Sequence, residues 1–169
     1  MAGRITYSEK QLRPDPRYND VVLSKFINCV MSDGKKAVAQ RVVYDAMDII
    51  ADKLSKETDP NAPKEAIAVF QRAIENVKPF VEVRSKRVGG ANYQVPIQVN
   101  RRRQQSLSFR WIITAARDEK GRPMAARLAD ELYSAAKGEG KAMMTRDQTH
   151  RMADAKQTED WNHTAALLA

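Results

Sequence analysis

Cysteine is almost missing from this chain. Cys29 is the only one, so no disulfide can close within the chain and no cysteine-based zinc site can form. Histidine is nearly as scarce. His150 and His163 stand alone, with no His-Glu-x-x-His pattern and no Ser–His–Asp set, and a lone histidine of this kind reads as a structural hydrogen-bonder. No apolar run approaches the ~20 residues that span a bilayer. Met1 to Tyr18 is polar and lacks an apolar centre, so no secretory signal is expected there, and the expected compartment is the cytoplasm or its organellar equivalent. Nothing calls for a metal, a cofactor or a catalytic role. One further absence is local. Between Lys78 and Arg110 there is a single acid, Glu82.

What fills that stretch is positive charge. Lys78, Arg84, Lys86, Arg87, Arg101, Arg102, Arg103 and Arg110 all fall in it, interleaved with Val81, Val83, Tyr93, Val95, Ile97 and Val99. The whole chain of 169 residues carries a formal charge of +8, with a sequence pI of about 9.7. A chain of this length is most simply one domain with a real core. Cations concentrated on an ordered scaffold suit a polyanion, because phosphate attraction and counterion release supply most nucleic-acid affinity.

The periodicity predicts a mainly α fold. Met1 to Asn19 contains Gly3, Pro14 and Pro16 and too few apolar residues for a packing face. It reads as an extended basic arm carrying Arg4, Lys10, Arg13 and Arg17, ordering on a partner. Asp20 to Met31 reads as a helix capped by Asp20, with Val22, Phe26, Ile27 and Val30 on one face. Ser32-Asp33-Gly34 breaks it. A second helix follows from Lys35 to Leu54, with Val38, Val42, Val43, Ala46, Met47, Ile50 and Leu54 at helical spacing. Asp59 to Pro63 is a turn, and Pro63 is placed to open a third helix carrying Ala66, Ile67, Phe70, Ala73, Ile74 and Val77. Pro79 stops it.

The period then drops to two. Val81 and Val83 alternate with Glu82 and Arg84, and Tyr93, Val95, Ile97 and Val99 with Gln94, Pro96 and Gln98. This predicts a β-hairpin over about 80–99 with a basic, glycine-containing tip. Two strands alone are marginal, so the hairpin must rest on helices or on a partner. Helical spacing returns over Arg101 to Arg117 (Leu107, Phe109, Trp111, Ile112, Ile113, Ala116) and over Pro123 to Lys137 (Ala125, Leu128, Ala129, Leu132, Ala136), which Gly138 ends. Thr145-Arg146-Asp147-Gln148 resembles a capping box for a last helix to about Lys156 or further. The domain is therefore read as 20–156, between an arm at 1–19 and a tail at 157–169.

Several segments have competing readings. Gly34-Lys35-Lys36 fails the Walker pattern, since Cys29 and Lys36 occupy positions that need Gly and Ser or Thr. Two lysines at a helix start still suit a phosphate. Gly89-Gly90 serves either a flexible turn or close approach of an RNA backbone. Phe109 and Trp111 read as core, and Tyr93 as the better stacking residue. Asp45, Asp48 and Asp52 share a helix face and read as solvated, or paired with Arg41 and Lys53. The rival to an RNA-binding protein is a helical DNA-binding regulator with a β-wing, using the second helix for recognition. No second apolar seam supports a homo-oligomer.

The run from Asp20 to Ala46, with Ser32-Asp33-Gly34-Lys35-Lys36 within it and Pro14-Asp15-Pro16-Arg17-Tyr18 before it, resembles the signature of the S-seven family of small-subunit ribosomal proteins, bacterial or organellar type. Glu82 to Pro96 resembles that family's hairpin, and Thr149-His150-Arg151-Met152-Ala153 its last helix. The likeness covers residues 10 to 156. It implies a six-helix, bundle-like fold with a protruding two-stranded ribbon. It implies a primary binder of the 3′ major domain of small-subunit ribosomal RNA, which nucleates head assembly near the exit-site transfer RNA and the messenger path, beside the S-eleven and S-nine proteins. The implied RNA-facing residues are the arm, Lys35, Lys36, Arg41, Lys78, Arg84, Lys86, Arg101, Arg102, Arg103 and Arg110. The tip, Arg87, Gly89, Gly90, Ala91 and Asn92, would approach the transfer RNA. Two features depart from the family. Gln157 to Ala169 lacks the usual aromatic- and arginine-rich ending, and the Asp59 to Pro63 turn is longer than usual.

Overall fold

A computed structural model describes residues 12–56, 65–88 and 90–168. Its elements are α1 (Val21–Val30), α2 (Lys36–Lys56), α3 (Ala66–Val77), β1 (Val81–Val88), β2 (Ala91–Gln98), α4 (Arg101–Asp118), α5 (Met124–Lys137) and α6 (Lys141–Leu168). The expected six helices and hairpin are all present. The residues at 157–168, read as a separate tail, continue α6.

The core gathers around α5, which packs against α2, α3 and α4. Its buried stripe is Leu128, Ala129, Leu132, Ala135 and Ala136; the alanines let neighbouring helices approach closely. Phe26 of α1 is the aromatic centre. Its ring meets Phe70 of α3 and Phe109 of α4 edge-on, each at 5.3 Å between centroids. Such pairs add about 0.5–1.5 kcal/mol beyond the area they bury, and these two fasten three helices together.

The buried stripe of α2 is Ala39, Val43, Ala46, Met47 and Ile50. Val38, expected in that stripe, is 58% exposed. It lies one residue off the buried face and, with Val42, lines a cleft of about 300 Å3 between α1, α2, α4 and α5. The opening of the third helix also differs. The helix starts at Ala66, with Glu65 in extended conformation before it; Pro63 and the turn at 59–63 lie outside the described residues.

Polar side chains close the joints between helices. Asn76 of α3 donates to Ala135 O at 2.9 Å and Ala136 O at 3.1 Å, satisfying carbonyls at the end of α5, and Arg146 of α6 donates to Asn76 O. Gly138 ends α5 in the left-handed conformation at φ 86°, which glycine adopts without Cβ strain. The capping box at Thr145 does not form. Because α6 already begins at Lys141, Thr145 lies inside the helix and its hydroxyl donates to Lys141 O at 2.9 Å. The cap comes from another helix: Glu131 accepts the Ala142 N–H at 2.8 Å.

The described part of the arm is folded. Asp15, only 3% exposed, accepts the Arg17 and Tyr18 N–H groups at 3.1 and 3.2 Å and the Tyr44 hydroxyl at 2.8 Å. Tyr18 packs against the core. Within the arm, residues 15–18 are tied to α2 by this buried carboxylate, which supplies what the sparse apolar residues do not.

Candidate nucleic-acid interface

The ribbon is a regular antiparallel pair, in register from Val81 opposite Gln98 to Val88 opposite Ala91. Gly90, just before β2, has φ 90°, a value that side chains rarely tolerate. Eight-residue strands extend about 27 Å. Helix α6 lies against both strands of the ribbon, and Lys86 and Arg87 stand exposed towards the far end.

At the ribbon's base the expected alternation is inverted. Val81 and Val83 are half-buried and Ile97 is 41% exposed, while Glu82 is the buried residue of β1 at 7%. Glu82 accepts a hydrogen bond from Arg103 Nε at 2.9 Å and one from Arg84 Nε. Burial acts to raise its carboxyl, but the two guanidiniums outweigh that and hold it below the usual carboxylate range. The one acid of the basic segment thus clamps β1 to α4. Two of the expected RNA-facing cations, Arg84 and Arg103, are engaged in that clamp.

α4 opens with Arg101, Arg102 and Arg103. Asn100 caps it, accepting the Arg103 N–H at 2.9 Å, and no acid lies in its first turn. A helix N-terminus carries about half a positive charge from its aligned peptides, so each cation there costs about 0.3–1 kcal/mol. Exposed Arg101 therefore sits where the backbone repels it, and an anion docking there would relieve that repulsion. Lys36 repeats the pattern at the start of α2, again with no acid in the first turn.

These cations do not converge on one point. Lys35 shares the cleft with Arg117, near the C-terminal end of α4, along with Val30, Met124 and Arg127. α4 has 18 residues, so its two ends lie about 27 Å apart. The basic residues gather at two stations at opposite ends of one helix, with the ribbon rising beside one of them.

Other expected contacts belong to the body. Arg17 pairs with Asp48 and lies over the Tyr18 and Tyr44 rings, so Asp48 pairs with neither Arg41 nor Lys53. Lys53 pairs instead with Asp130, and Lys78 with Glu75. Arg13, Arg41 and Arg110 are exposed. Arg110 lies close enough to draw down the Cys29 thiol, which burial raises by more. Arg4, Lys10 and Gly89 lie outside the described residues, as do the side chains of Ala91, Asn92 and Tyr93.

A model of the family described as ribosomal protein S7p/S5e matches residues 3–157. The chain belongs to that family. A small ribosomal subunit protein uS7 from Rhodopirellula baltica is 59% identical over 153 residues, covering 90% of this chain and 94% of the relative. Relatives of the same name from Thermotoga neapolitana and Methylocella silvestris are 52% and 48% identical, covering 86% and 92% of this chain and 89% and 94% of the relatives. S7 proteins are structural components of a ribonucleoprotein and not enzymes.

For this S7 protein the wing-and-helix alternative meets a specific obstacle. The outward side of α2 exposes Asp45, Asp48 and Asp52, an acidic surface unsuited to a DNA groove. Several arginines that sequence reasoning missed are structural. Arg117 donates to Val30 O at 3.2 Å and Arg127 to the Arg117 and Glu119 carbonyls, so cations satisfy the C-terminal carbonyls of α1 and α4, as the helix dipole favours. Spacing within one helix could not reveal partners on another. His150 has the structural role expected of it: its Nε2 accepts the Phe80 N–H at 3.2 Å. No helix among the described residues is long and apolar enough to cross a membrane.

Proposed function

We propose that this chain is a structural constituent of the small ribosomal subunit that binds the 3′ major domain of its ribosomal RNA and nucleates folding of the head. The helical body holds two basic stations a helix length apart, and each meets phosphates of a different RNA segment. Lys35, Lys36 and Arg41 serve one, Arg101 and Arg102 the other. The ribbon carries Lys86, Arg87 and the glycine tip outward to the exit-site transfer RNA and messenger path. Arg4, Lys10 and Arg13 extend the RNA contact along the arm, beside the S-eleven and S-nine proteins. RNA helices are read chiefly by shape and backbone, which suits fixed cations on a rigid scaffold.

The observation that carries this reading is exposed Arg101 on the positive end of α4, a placement that disfavours the free protein and favours a bound polyanion. Its test is filter binding of a 3′ major-domain transcript across a salt series. Arg101→Ala with Arg102→Ala should lower the slope of log affinity against log salt by roughly two. Arg103 is kept because it holds Glu82. An unchanged slope would assign this face to something other than RNA.

A further inference from the structure

Phe80 has no part in the packing that surrounds it. Its ring is 73% exposed, more than any other large apolar side chain described. Its backbone, by contrast, is fixed from both sides. The N–H donates to His150 Nε2 at 3.2 Å, and the carbonyl accepts the Val99 N–H at 3.0 Å. The His150 ring lies beside it, 6.1 Å between centroids and tilted by 34°. A single exposed apolar residue is ordinary. This one is an aromatic ring held at two hydrogen bonds and paired with a second ring.

Its neighbours say what the ring meets. Val99, bonded to Phe80, is followed directly by Asn100, Arg101 and Arg102 at the start of α4. Exposed Arg151 follows His150, and Lys78, which holds Glu75, precedes by two residues. The centre of a protein–protein contact is depleted of charge, whereas the two residues that hold this ring's backbone, Val99 and His150, lead directly into exposed cations of α4 and α6. Aromatic faces set in a basic surface stack on unpaired bases, and the stacking tolerates any base because every base has a π face.

We propose that Phe80, flanked by His150, is a stacking platform for an unpaired RNA base whose phosphates are held by Arg101 and Arg102. The platform rests on the ribosomal RNA reading above and adds a contact of a different physical kind. Because the ring's backbone is already fixed, little freedom remains to be lost when a base settles on it.

The test uses the full chain, a labelled 3′ major-domain transcript, and the variants Phe80→Ala and Phe80→Trp. The alanine variant should keep the wild-type melting temperature, since the ring is exposed. It should bind roughly five- to a hundredfold more weakly, with an unchanged salt slope because no phosphate contact is lost. The tryptophan variant should bind at least as well as wild type. Equal affinity of the alanine variant and wild type would overturn the platform and leave the ring to a protein neighbour. A changed salt slope would overturn it too, by showing that Phe80 acts through the arginines. Failure of the wild type itself to bind the transcript would sink the ribosomal RNA reading, and the platform with it.

Discussion

The starts of α1 and α4 meet the same physical problem with opposite residues. At α1 the free backbone N–H groups are met by an acid: Asp20 accepts from Val22 at 2.6 Å and Leu23 at 2.9 Å, and also holds Gln71 at 2.8 Å. At α4 the cap is neutral Asn100, and the next three residues are arginines. The first arrangement lowers the free energy of the folded chain by itself. The second leaves exposed Arg101 beside the positive helix end, where an external anion would be welcome. A helix start that serves the fold is thereby distinguished from one that serves a ligand, within one protein and by the sign of charge alone.

The strongest way to probe the contrast is at the acid side. Asp15, buried beneath the arm and beside α1, holds two N–H groups and a hydroxyl. Asp15→Ala should destabilise the protein by about 2–3 kcal/mol, since it orphans buried donors, and should leave the RNA salt slope untouched. Chemical denaturation and filter binding together check both halves. Next in size, Arg101→Glu should act with opposite signs on the two properties. RNA affinity should fall by about tenfold or more through the lost phosphate contact, while stability rises by about 0.3–1 kcal/mol as an acid replaces a cation at the helix start. If stability and affinity fell together, the arginine would be a fold residue and the contrast would fail. Asp20→Ala should cost about 1 kcal/mol of stability through the lost cap, with RNA binding unchanged for the folded fraction.

The smallest effect is expected in acid. The Glu82 carboxyl lies below its ordinary value of 4.5 because Arg103 and Arg84 outweigh its burial. Asp130 lies below 3.8, its burial outweighed by Lys53 and Arg122. A carboxyl with a depressed folded-state pKa stabilises the fold fully above its unfolded value, and that contribution is lost as pH falls towards the folded one. Stability should therefore hold through neutrality and decline below about pH 4.5. Glu82→Gln should flatten part of that decline in a pH series of thermal melts.

The helical body was readable from residue spacing because its stripes are regular. Phe26 and Val30, or Leu128 and Leu132, recur at the helical period and are buried where that period places them. Spacing is silent about what one element does to another. Val38 fits the stripe of α2 but faces a cleft, and Glu82 sits at a strand position that alternation assigns to solvent yet faces Arg103 across twenty residues of chain. Asp15 looks like an ordinary turn acid until Tyr44 is found against it. The candidate site divides in the same way. The density of cations between Lys78 and Arg110 is visible in the sequence, while the division between bound cations such as Arg84 and those lying open such as Arg101 is a matter of tertiary placement. Phe80 carried no period at all, following Pro79 at the seam between helix and strand.

The Glu82 clamp also sets the aim of a lever. The ribbon is about 27 Å long, so a tilt of about 10° at its base displaces its far end by about 5 Å. The Glu82 carboxylate, together with α6, therefore sets where the far end arrives, and trimming that acid should widen the far end's excursion before it unfolds the body.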